Sequence, residues 1–135
     1  MREILFRAKC IDNGEWVYGV PIKKALVGSH DGYYPKIIPE CDGRHQTIYS
    51  TAIKEETLGQ YTGLCDKNGT KIFEGDIVHW KKVPYFVRWD SKKAEFVFAN
   101  DMEADYFVVG FNEHTTMKFC KVVGNIHDNP ELLNK

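Results

Sequence analysis

The chain has 135 residues, and its 18 Lys and Arg against 19 Asp and Glu leave a net charge of -1. That balance excludes a surface built throughout for nucleic acid or anionic membrane, and 43% hydrophobic residues with 13% aromatics exclude a disordered chain. The length suits one domain or two small subdomains. No apolar run reaches about 18 residues, so no membrane-spanning helix is expected, and with the charged start Met1-Arg2-Glu3 no secretory signal core is expected. A cytoplasmic protein is expected.

The pattern is β from end to end. In residues 4–10, Ile4, Phe6, Ala8 and Cys10 alternate with Arg7 and Lys9, the period of a half-buried strand. Asn13-Gly14 predicts a tight hairpin with positive φ angles, and residues 16–20 form the return strand, stopped by Pro21. The pattern lapses over 21–32. Residues 33–38 and 44–50 read as two more strands, and 52–58 as a helical turn or linker. The boundary between subdomains is placed there, giving an N-terminal β subdomain over 1–57 and a C-terminal one over 58–135.

The second half opens with Gln60-Tyr61-Thr62-Gly63-Leu64 and a second Asn-Gly turn at Asn68-Gly69. Gln60 and Thr62 are expected to pin Tyr61 at the junction of the subdomains. Ile72-Phe73-Glu74-Gly75-Asp76-Ile77-Val78 combines an apolar pair, a Gly-Asp bend and a β-branched strand. The glycine permits the bend and the aspartate is expected to bond its following backbone. Strands follow at 77–81, 85–90, 94–98, 106–111 and 117–123, lengths usual for a small barrel. Asn129-Pro130 starts a capped helical turn. The fold class expected is mostly β: two small β subdomains, the C-terminal one an SH3-like β barrel.

Motifs for chemistry are absent from the sequence. Ser29 lacks a nucleophile elbow, and no glycine-rich phosphate loop occurs. His30, His45, His79, His114 and His127 show no metal-ligand spacing, and Cys10, Cys41, Cys65 and Cys120 form no C-x-x-C pair, so Cys10 and Cys120 read as small buried hydrophobes. No enzyme activity, catalytic residue, metal or cofactor is expected.

Charge placement says more. Residues 77–93 hold Lys81, Lys82, Arg88, Lys92 and Lys93 against Asp90 alone, while 101–113 hold Asp101, Glu103, Asp105 and Glu113 with no basic residue. With Trp80 and Trp89, the five basic residues form a candidate nucleic-acid-binding face: cations for phosphates, rings for bases. The plainer alternative makes the lysines solvated turns and the aromatics core. Paired acidic and basic patches also suit self-association.

Three blocks of the chain resemble the YopX family. They are Met1-Arg2-Glu3-Ile4-Leu5-Phe6-Arg7 with Ile11-Asp12-Asn13-Gly14-Glu15-Trp16-Val17-Tyr18-Gly19, then Gln60-Tyr61-Thr62-Gly63-Leu64-Cys65-Asp66-Lys67-Asn68-Gly69 running into 72–78, and lastly residues 123–133. The resemblance implies a mostly β protein encoded by bacteriophages or prophages, with no assigned activity, so no functional residue is carried over. Ala8 and Cys10 stand where Gly and Arg are expected. The combined expectation is a phage-encoded accessory protein acting by binding, to itself as a homo-oligomer and to a host or phage protein. Its alternative is a nucleic-acid-binding module. No membrane partner is expected.

Overall fold

The computed structural model describes residues 3–22, 36–39, 51–100, 109–110 and 118–133. These residues are mostly β, and their strands form two antiparallel sheets. The chain divides into two compact units, Met1–Gln60 and Tyr61–Lys135.

In the first unit, β1 (Phe6–Lys9), β2 (Trp16–Ile22), β3 (Lys36–Pro39) and β4 (Thr51–Ala52) pair in the order β4-β3-β2-β1. The start of β5 (Gly59–Cys65) pairs with β1, Gln60 opposite Phe6. One face buries Ala8, Ile37 and Ile53, with Phe6, Val17 and Leu58 packed against them. From Phe6 onward the apolar residues expected on one face do line the core, but burial does not alternate with them. Ile4 precedes the strand and is 61% exposed, whereas Arg7 is buried with its guanidinium 4.6 Å from the Trp16 ring centre. A flat guanidinium stacked on an indole keeps an apolar environment without leaving the outer face.

The first turn also differs from expectation. Only Gly14 has positive φ, and Asn13 instead accepts the Glu15 amide at 2.9 Å through its side chain, an Asx turn rather than a two-residue hairpin. Pro21 does not stop β2. The β1 pairing ends at Gly19, so Pro21 faces only β3, opposite Ile37, an edge-like place that tolerates a missing amide. A short 3-10 turn, Glu55–Thr57, fills the segment expected as a turn or linker. Buried Thr57 accepts the Lys9 amide at 2.9 Å and donates to the Lys54 carbonyl at 2.6 Å. The strand expected over 44–50 lies outside the described residues.

The second unit contains the rest of β5, β6 (Lys71–Phe73), β7 (Asp76–Trp80), β8 (Val83–Asp90), β9 (Glu95–Ala99), β10 (Val109–Gly110) and β11 (Cys120–Asn125). Its five-stranded sheet has the order β10-β9-β8-β7-β11. Closure into an SH3-like barrel is not among the described pairings. One face buries Ile72, Val78, Tyr85, Val87, Phe98 and Cys120. The other buries Ile77, Phe86 and Ala99 beneath Val123, Ile126, Leu132 and Leu133. Coverage on both faces is why residues 85–87 are a continuous apolar run.

Gly75 has φ of +90°, as the bend between β6 and β7 requires. Asp76 is buried and accepts the Phe73 amide at 2.7 Å, a bond that runs backward across the bend. Tyr61 lies 5.5 Å from the Phe73 ring. Its hydroxyl lies 3.6 Å from Cys65 Sγ and Lys71 Nζ lies 5.4 Å from its ring centre, while Thr62 donates to the Ile72 carbonyl at 2.8 Å and ties β5 to β6. The final turn, Pro130–Leu133, is a 3-10 turn. The Asn129 side chain accepts the Asn125 amide at 3.3 Å, reaching back toward β11 and not forward as an N-cap.

Candidate nucleic-acid interface

Three pieces of backbone meet at one end of the second unit's sheet. The first is the β7–β8 hairpin. Trp80 pairs with Val83, so Lys81 and Lys82 make the whole turn, and both hold positive φ, 53° and 65°. That is the geometry of a two-residue hairpin whose twist matches its strands. Lys81 Nζ lies 5.3 Å from the Trp80 ring centre, a cation held against an aromatic face.

The second piece is the start of β11. Cys120 pairs with Trp80 and Lys121 with His79. Cys120 points into the core, so by strand alternation Lys121 projects from the opposite face, and both Lys121 and His79 are exposed. Phe119, next before Cys120, is 50% exposed.

The third piece is the turn after β5. Asp66 is buried and its carboxylate accepts the amides of Asn68 at 2.8 Å, Thr70 at 2.9 Å and, across the chain, Val122 at 2.9 Å. The Lys67 amide donates to the Cys120 carbonyl at 3.0 Å. These bonds fasten the turn to β11 and fix the backbone that carries Lys67.

Lys67, His79, Lys81, Lys82, Lys118, Phe119 and Lys121 together line a recess of about 390 Å³. It holds five lysines and no acid, and none of these lysines has an ion-pair partner among the described residues. Like charges around a concavity focus a positive potential that attracts anions. The opposite end of this sheet face is closed by Leu132 and Leu133 over Ile77 and Phe86.

The structure separates the residues that the sequence grouped. Lys81 and Lys82 line the recess, and Trp80 stands beside them, packed at 5.9 Å against Tyr85. Arg88, half-buried, pairs with Val97 farther along β8, and Trp89 pairs with Phe96. Trp89 is 46% exposed and meets Phe96 edge-on at 5.0 Å. Lys92 and Lys93 sit in the β8–β9 turn, their amides donating to Asp90 Oδ1 at 3.0 and 3.3 Å. That turn lies at the far end of β8, which spans about 23 Å from Val83 to Asp90 at the usual rise per residue. Lys67, Lys118, Lys121 and Phe119 escaped the sequence reading because they reach the hairpin only through the pairing of β11 with β7.

The cysteines offer no second site. Cys10, Cys65 and Cys120 are free thiols, and Cys41 lies outside the described residues. Burial, and then the Asp66 carboxylate, push the Cys120 thiol up to about 11; burial, Glu15 and Asp12 raise that of Cys10. Both stay protonated and poorly nucleophilic at neutral pH. Among the described residues no group of three or more His, Cys, Asp or Glu could hold a metal ion. None of their helices is long and apolar enough to cross a membrane.

No curated protein matches the chain. Among solved structures, that of protein EF1440 from Enterococcus faecalis is similar over 99% of this chain and 100% of that one, with a TM-score of 0.63 and 22% identity, a likeness of fold. The family model described as YopX protein matches residues 5–134. The chain therefore belongs to the YopX family.

Proposed function

We propose that this protein acts by binding rather than by catalysis, and that it binds nucleic acid through the recess on the second unit. The observation that carries this reading is five lysines, with no acid in the lining, converging from three backbone segments on one concavity. Lysines placed as point charges suit phosphates. The biological setting is that of a phage- or prophage-encoded accessory protein in the cytoplasm, working without a cofactor. Support for that setting is the family resemblance and the absence of catalytic motifs from the sequence.

A protein partner, including a second copy of the chain, is the second reading. It is favoured by exposed apolar side chains on the first unit, Ile4 at 61%, Tyr18 at 41% and Val20 at 53%. Salt separates the two, because phosphate contacts release counterions and an apolar interface does not. Fluorescence anisotropy with labelled DNA and RNA at about 50 and 200 mM salt is the test. If four lysines reach phosphates, affinity for a single strand falls about 50-fold across that range, and K81E/K121E removes binding at both salts. A complex indifferent to salt, or unaffected by that variant, would overturn the reading.

A further inference from the structure

We infer that the recess takes single-stranded nucleic acid, with a base stacked on Phe119 and the flanking phosphates on Lys81, Lys118 and Lys121. The inference rests on the nucleic-acid reading of this site and names the form of the strand.

Phe119 is the reason. Half of its surface is exposed in a wall that is otherwise lysine and histidine. An apolar ring among cations gains little from facing water, but it matches a ligand that carries π-faces between its negative charges. Single strands have that composition, and every base presents a face to stack on. A duplex keeps its bases stacked on each other and offers this ring only its backbone and groove edges. Cys120, its neighbour, is fully buried and paired with Trp80, which places the Phe119 backbone next to the strand that leads into the Lys81 turn.

The volume fits this reading. A recess of about 390 Å³ lies at the small end of ligand-sized concavities. It suits one or two nucleotides threading past five lysines better than it suits the width of a double helix. Neighbouring lysines would then hold the backbone on either side of the stacked base.

The test uses the whole protein and three probes: a labelled oligothymidylate of about 15 nucleotides, a duplex of the same length, and inorganic polyphosphate, which carries the charge without bases. The expected result has three parts. The single strand binds at least about tenfold tighter than the duplex. F119A loses about tenfold for the single strand and nothing for polyphosphate, and F119W restores the single strand, since stacking is what a larger ring preserves. If wild type binds the duplex as tightly as the single strand, or F119A weakens both the oligonucleotide and polyphosphate alike, the stacking inference is overturned while the nucleic-acid reading stands. If wild type binds neither nucleic acid, both fall.

Discussion

At the scale of single residues, the β7–β8 turn holds a conflict between stability and charge. Lys81 and Lys82 both occupy the left-handed region, where a side chain costs roughly 1 kcal/mol or more per residue. Asn-Gly is the pair that such a turn favours, and the chain has Asn-Gly at residues 13–14 and 68–69. Two lysines here present two ammonium groups at the recess at the expense of turn energy, the pattern expected where strain serves a site. Changing Lys81-Lys82 to Asn-Gly should therefore stabilise the protein by about 1 kcal/mol, which for a chain of this size is a rise in Tm of about 3 °C. The same variant should weaken nucleic-acid binding several-fold. Thermal denaturation beside a binding titration reads both effects, and a variant that lost stability would refute the strain argument.

At the scale of elements, the Asp66 turn acts as a clasp. Its carboxylate satisfies two amides of its own turn and one on β11, and the next residue bonds β11 again through Lys67 and Cys120. Asp66→Ala would leave three donors, all in part-buried bonds, without their acceptor. With charged hydrogen bonds each worth about 1.5–3 kcal/mol, and water able to recover part of that, the loss should be about 2–4 kcal/mol. Urea denaturation measures it, and a cost below about 0.5 kcal/mol would show the clasp to be dispensable. The turn itself was legible in Asp66-Lys67-Asn68-Gly69, as were the strands from β7 to β9, because turn chemistry and apolar runs are local signals. Other features were not. Pro21 sits inside β2 because the β1 pairing has already ended there, which depends on what lies alongside. The recess was the least legible part, since Lys118 and Lys121 are about forty residues from Lys81 and the pairing of Cys120 with Trp80 has no signature in either segment.

At the scale of the whole molecule, charge decides which of two basic hairpins can act. The net charge is -1, so attraction to a polyanion cannot come from the protein as a whole and must arise from an uneven distribution. Two lysine pairs are available at opposite ends of β8: Lys81 and Lys82 in one turn, Lys92 and Lys93 in the other. Reversing either pair to Glu changes the net charge by four, from -1 to -5, and all four residues are exposed. The variants thus differ in place, not in amount. The turns are about 23 Å apart, more than twice the Debye length of about 10 Å at 0.1 M salt, so at that salt each pair acts almost alone. Lys81 and Lys82 have Lys67, Lys118 and Lys121 beside them; Lys92 and Lys93 have their amides on the Asp90 carboxylate and Glu95 close by. K81E/K82E should therefore abolish binding to an oligonucleotide at about 0.1 M salt, while K92E/K93E should stay within about twofold of wild type. Equal losses in the two variants would mean that binding follows net charge and has no site. Loss in K92E/K93E alone would move the interface to the β8–β9 turn, with Arg88 and Trp89 as its neighbours, and would leave the lysines of the recess as solvated surface.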